Sequence, residues 1–128
     1  VGVAFLLGVG CSSTTSMPSE QAALELGTGL TEVGDLLRAY TETTGRAPTK
    51  PADVLRNEAL YPRGVQAIRS GDVKVIWGVK MPPVGEGGTE IIAFEKKVET
   101  EGGGVLLTNG EVKKMTPDEF KAAPKVKK

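Results

Sequence analysis

The chain has 128 residues, with 16 lysines and arginines balanced by 16 acidic residues, one cysteine and no histidine. Balanced charge gives no overall field to draw nucleic acid, and without histidine there is no Ser–His or Cys–His nucleophile system. One cysteine permits neither an intramolecular disulfide nor a zinc site of the usual Cys/His kind.

Residues 1–10, VGVAFLLGVG, are apolar or small and carry no charge. As a helix they span about 15 Å, half a bilayer's hydrocarbon core, which is too short for a transmembrane span. Their length fits a signal-peptide h-region, so a basic n-region is expected ahead of Val1. The single cysteine, Cys11, follows at once, and residues 11–19 with their SSTTS run have the composition of a flexible tether.

This segment resembles the lipobox of bacterial lipoproteins, in which signal peptidase cuts just before a cysteine that carries diacylglycerol. Gly10 and Cys11 fit the pattern and Val9 is acceptable. Gly8 departs from it, because an aliphatic residue is usual three places before the cysteine. The resemblance implies cleavage between Gly10 and Cys11, lipidation of Cys11, and an extracytoplasmic, membrane-anchored protein on the periplasmic face or outer membrane. Each buried acyl methylene contributes about 0.8 kcal/mol, so two or more chains anchor a domain that has no span of its own. The alternatives are a secreted protein cut nearby by ordinary signal peptidase, and a buried cysteine in an N-terminal helix.

The folded domain is expected over 20–123. Leu26, Leu30, Val33, Leu37 and Tyr40 recur at helical spacing and share a face that Leu36 and Ala39 widen. Ser19 is the expected N-cap, Gly45 the terminator, and Pro48 prevents continuation. Gly27, Gly29 and Gly34 each weaken this helix by up to about 1 kcal/mol relative to alanine. Pro51 then opens a short helix over 51–58, with Ala52, Leu55 and Ala59 facing inward. YPRG (61–64) reads as a turn. DVKVIWGV (72–79) and TEIIAFEKK (89–97) read as strands, joined by the Pro- and Gly-rich loop 80–88.

GVLLTNGEVKKMT reads as a hairpin with a two-residue type I′ turn at Asn109-Gly110. Thr116, Pro117 and Glu119 form a capping box that opens a terminal helix. Residues 124–128 are expected to be a disordered basic tail. The fold class is α+β: an N-terminal amphipathic helix packed on a small antiparallel sheet of three to four strands, then a short C-terminal helix. Ile76, Trp77, Ile92, Phe94 and Leu106 are the expected partners of the stripe from Leu26 to Tyr40.

The stretch LTEVGDLLRAYTETTGRAPTKPADV resembles pilins and type II secretion pseudopilins, in which a helix ends in Ala-Tyr, then Gly and Pro, then a short Pro-x-x-Leu segment. The matching positions are Leu36, Ala39, Tyr40, Gly45, Pro48, Asp53 and Leu55. VLLTNGEVKKMTPDEF is similar to the last hairpin and terminal helix of pilin-like secreted proteins. The long hydrophobic stalk and prepilin cleavage site of that family are absent from this sequence. The resemblance therefore implies a pilin-like globular part with a lipid anchor in place of the filament-forming stalk.

Glu32 with Asp35, and Asp118 with Glu119, are carboxylate pairs, but their positions favour solvated or capping roles over acid–base catalysis. GEGG (85–88) and GGG (102–104) lack the phosphate-loop form and read as loops. Asp72, Glu86, Glu99 and Glu101 have no calcium-loop spacing. No cofactor, metal or nucleic acid is implied. Trp77 and Tyr40 read as core or contact residues. The expectation is a non-enzymatic envelope lipoprotein that is structural or contacts a protein partner through a sheet edge or the 80–88 loop. The alternative is a secreted domain that binds a small ligand or polysaccharide between sheet and helix.

Overall fold

The computed structural model describes residues 29–128. The lipobox-like segment with Gly10 and Cys11, the tether, Ser19 and Leu26 lie outside the described residues. The fold is α+β, a four-stranded antiparallel sheet in the order β1-β2-β3-β4 with a short helix after it. Its elements are α1 (29–44), α2 (Pro51–Leu55), α3 (Pro62–Ser70), β1 (Val73–Val75), β2 (Ile91–Glu95), β3 (Gly103–Leu107), β4 (Val112–Met115) and α4 (Pro117–Ala122). A 3-10 turn, Lys96–Glu99, follows β2.

Leu30, Val33, Leu36 and Leu37 of α1 are buried, as their spacing requires, and Tyr40 packs half-buried beside them. Gly34 has a use beyond weakening the helix. A Cβ there would lie 3.3 Å from Leu106 Cδ2, so the missing side chain lets α1 come close to β3. Gly45, at φ +72, closes the helix with its N–H donating to Thr41 O at 2.8 Å.

α2 ends at Leu55, short of the expected 58, so its buried position is Val54, while Ala52 and Ala59 are exposed and Leu55 is half-buried. Its N-terminus is organised by Asp53, whose carboxylate accepts from the Thr49 N–H at 2.9 Å and the Thr49 hydroxyl at 3.3 Å. The backbone N–H of Thr49 is the main reason the Asp53 carboxyl is held below its ordinary pKa of 3.8. A depressed carboxylate stabilises the fold above its unfolded-state pKa, and that contribution is lost as pH falls through the lower folded value. A carbon-detected titration should therefore place Asp53 below 3.8, and Asp53→Asn should remove its share of the acid-side loss of stability. An Asp53 midpoint at or above the ordinary value would overturn the cap.

The segment read as a turn at 61–64 instead opens a helix. Pro62 takes the first position of α3, and Val65 and Ile68 point into the core. Tyr61 supplies no side-chain cap to that helix. The cap comes from α1, where Glu32 Oε1 accepts from the N–H groups of Arg63 at 2.8 Å and Gly64 at 3.0 Å. A carboxylate at a helix N-terminus satisfies orphan donors and complements the dipole, and here it acts across 31 residues of sequence.

β1 and β2 are shorter than expected. β1 stops because the chain turns at Gly78, φ +90, whose N–H donates to Pro48 O at 2.8 Å. β2 stops at Glu95, whose buried carboxylate accepts the Gly104 N–H and so takes the place of the next ladder carbonyl. A bulge between Ile91 and Ala93 sets the faces of β2. Ile92 and Ala93 join the α1 core with Leu106, whereas Ile91 and Phe94 join Val105, Leu107 and Phe120 on the other side. Phe94 thus does not meet the α1 stripe; its ring centroid lies 4.8 Å from that of Phe120, the two rings tilted by 52°. Helices cover both faces, which explains why the run IIAFE is apolar without alternation.

The last hairpin is present, but its turn is not type I′. Gly110 lies at φ +93, and among the described residues only glycines have positive φ, so Asn109 cannot occupy a type I′ position. Leu107 donates to Glu111 O and accepts from the Gly110 N–H, both at 2.9 Å, leaving Thr108, Asn109 and Gly110 as a longer loop with its left-handed residue last. The capping box of α4 is present: Thr116 Oγ1 accepts from the Glu119 N–H, and Glu119 Oε1 from the Thr116 N–H.

The tail at 124–128, expected to be disordered, is bound along the sheet. Ile91 donates to Pro124 O at 2.9 Å, and Val126 donates back to Ile91 O at 3.0 Å. Val126 packs on the α1 core, and the Lys125 ammonium lies 4.3 Å over the Phe120 ring while donating to the Phe120 and Ala123 carbonyls. Those carbonyls lie at the end of α4, where Phe120 O also accepts from the Ala123 N–H at 3.3 Å, so a lysine is held there by ordinary C-terminal capping.

Candidate functional site

The loop at 80–88 is the most exposed apolar feature with a fixed base. It enters through Met81, 1% exposed in the α1 core, and Pro82, whose carbonyl accepts from Arg38 Nε at 3.1 Å. The Arg38 side chain is only 12% exposed, and its Nη1 is 3.3 Å from Asp35 Oδ1. Its Nη2 lies 3.6 Å from where a Cβ on Gly110 would be. One guanidinium thus ties α1 to the loop and lies beside the β3–β4 turn.

The loop leaves through a second set of contacts. Gly88 N–H donates to Thr108 Oγ1 at 2.8 Å, Asn109 N–H to Gly88 O at 3.1 Å, and Thr108 N–H to Glu90 O at 3.0 Å. Gly87, at φ +95, presses its α-carbon on the Thr108 carbonyl so closely that a Cβ would be 2.4 Å from that oxygen. Between these ends the Glu86 N–H closes a turn onto Pro83 O at 3.0 Å. Val84 stands at the tip, 79% exposed.

Beside the loop base is an open groove of about 730 Å³, walled by Val79, Lys80 and Pro82 on one side and Pro124, Val126 and Lys127 on the other. A second hollow, about 500 Å³, surrounds Glu95 with Lys74, Lys96, Lys97, Asp72 and Glu99. Trp77 lines neither of them. It packs half-buried against the α1 core, as does Tyr40.

The carboxylates noted in the sequence do not converge. Glu32 caps α3, Asp35 meets Arg38, Glu119 closes its capping box, and Asp118 lies in the first turn of α4. Among the described residues no three metal-ligating side chains are grouped to hold an ion, and no helix is long and apolar enough to cross a membrane. The GGG run is explained by packing: a Cβ on Gly103 would meet Glu95 Oε1 at 2.8 Å, one on Gly104 would meet Leu30 Cδ1 at 2.8 Å, and Gly102 has φ +91.

Arg38 and Thr108 were not singled out by sequence reading as supports of this loop. The one signal for Arg38 is that it is the only basic residue among the five acids of 20–45. No protein-family model, curated protein or solved structure matches the chain.

Proposed function

We propose that this chain is a non-enzymatic envelope lipoprotein, held at a membrane by acyl chains on Cys11, whose domain contacts an envelope protein through the tip of the 80–88 loop. The observation that carries the contact is Val84, 79% exposed between two loop ends that are both fixed. Burying an exposed valine in a partner contributes roughly 1.5–3 kcal/mol, and a loop already ordered loses little entropy on binding. The non-enzymatic reading is supported by the candidate carboxylates, which do not converge: Glu32 and Glu119 are engaged in caps and Asp35 in an ion pair, while Asp118 sits apart in the first turn of α4. The anchor is supported by the apolar run that leads into Cys11. In this reading the pilin-like features describe a domain plan, with lipid replacing the stalk. The secreted ligand-binder is the weaker reading, since Trp77 packs on the core and the hollows are open.

Two measurements test it. Cys11→Ala should move the protein from the membrane to the soluble fraction; unchanged partitioning overturns the anchor. A photo-crosslinking residue at position 84, used in intact cells, should capture one protein of defined mass, and Val84→Asp should abolish its co-purification. Capture at 84 that equals capture at the exposed Leu60 overturns the loop contact.

A further inference from the structure

The first edge of the sheet is split. β1 follows β2 as far as Ile76, whose N–H donates to Ile92 O at 2.9 Å, and then departs. Its place beside Ile91 is taken by residues 124–126 in a parallel bridge. The groove of about 730 Å³ lies between the departing segment and the tail. Both walls are extended chain outside any strand ladder, and the N–H groups of Val79, Lys80 and Lys127 have no hydrogen bond among the described residues. Lys125 is the bridge partner of Ile91, but the two bonds are made by Pro124 O and the Val126 N–H, so the N–H and C=O of Lys125 itself point away from Ile91.

The groove also has a sign. Its ionisable side chains are Lys80, Lys125, Lys127 and Glu90. Glu90 accepts from Thr108 Oγ1 at 3.3 Å, and the Lys125 ammonium is turned to the end of α4. Lys80 and Lys127 stay exposed and without an ion pair among the described residues, and the Lys128 stem lies along Gly78. Val79, Pro82 and Val126 give an apolar floor.

We propose that this edge accepts an extended, acidic segment of a protein partner as an added strand. Unpaired N–H and C=O groups select a peptide backbone, and alternate side chains of the added strand bring carboxylates to Lys80 and Lys127 while their neighbours meet the apolar floor. The inference rests on the reading of the 80–88 loop as a contact surface, because Lys80, Pro82, Gly87 and Gly88 at its base border the groove.

The test uses the isotope-labelled full chain in detergent and a synthetic peptide of about ten residues alternating Glu and Thr, long enough to span the edge at strand rise. Amide shifts should concentrate at 79–81 and 125–127. A Lys-for-Glu peptide, a peptide N-methylated at alternate amides, and the Lys80→Glu/Lys127→Glu variant should each bind about tenfold more weakly or worse, the variant with an unchanged melt. No shifts at millimolar peptide, shifts elsewhere, or equal binding by the N-methylated peptide overturns strand addition. Equal competition by a single-stranded oligonucleotide, or the same shifts on concentrating the chain alone, overturns it too, in favour of nucleic acid or a second copy. Val84→Asp should leave peptide binding intact. Loss of peptide binding with crosslinking at 84 retained defeats the added strand and spares the loop reading.

Discussion

Gly87→Ala is expected to lower stability by about 2–6 kcal/mol and to free the 80–88 loop from the β3–β4 turn. Two costs combine. A left-handed backbone imposed on alanine costs about 1–3 kcal/mol, and forcing a methyl into filled space costs about 1–3 kcal/mol more. The space is filled by backbone: the Cβ would lie 2.4 Å from Thr108 O, 2.7 Å from Thr108 C and 3.0 Å from Asn109 N. None of these is the end of a flexible side chain, so the turn or the loop must shift. The control is Gly85→Ala, also left-handed at φ +89 but with nothing within 4 Å of its Cβ. It should show the backbone cost alone. Urea melts of the two variants that agree within about 1 kcal/mol, a typical single-substitution effect, would show that the loop is not bolted at Gly87. Amide exchange at Gly88 and Asn109 should accelerate in Gly87→Ala only.

Much of this architecture was readable before any coordinate. The stripe through Leu30, Val33 and Leu37, the small antiparallel sheet, the hairpin around Asn109-Gly110 and the box at Thr116–Glu119 follow from local patterns, and each is present. What escaped has a shared cause: it is fixed by partners distant in sequence. α3 looks like a turn because Pro62 and Gly64 sit in its first positions and Tyr61 offers no cap, while the real cap is Glu32 on another helix. Phe94 changes faces because of a bulge that no alternation announces. The tail looks like solvated lysines, yet Val126 and the Lys125 stem are held by Ile91 and Phe120. The loop at 80–88 was legible as a loop from its prolines and glycines, but its rigidity was not, since Arg38 and Thr108 reach it from 44 and 20 residues away.

Gly64→Ala is expected to destabilise by about 1–3 kcal/mol, against the sign that helix propensity gives. In an exposed helix the same change stabilises by about 0.8–1 kcal/mol. Here a Cβ would fall 2.9 Å from the Glu32 carbonyl carbon, from Glu32 Cβ and from Val33 N, so α3 would have to lift from α1. Lifting also stretches the Glu32 contacts to Arg63 and Gly64, a charge-assisted pair of bonds that is stronger than its neutral equivalent. Glu32→Gln separates the effects: it retains an acceptor, removes the charge, and should cost less than Gly64→Ala in the same urea titration. A Gly64→Ala protein more stable than the parent would mean that α3 does not rest on α1 in solution.

The bridge between Ile91 and Lys125 also sets a clock. A central strand whose last neighbour comes from residues 124–126 cannot be completed while those residues are still inside the ribosome or a translocation channel. Closure of the sheet beside Ile91 is therefore a long-range event that waits for residues 124–126, and loop-closure entropy over more than 30 residues must be overcome to make it.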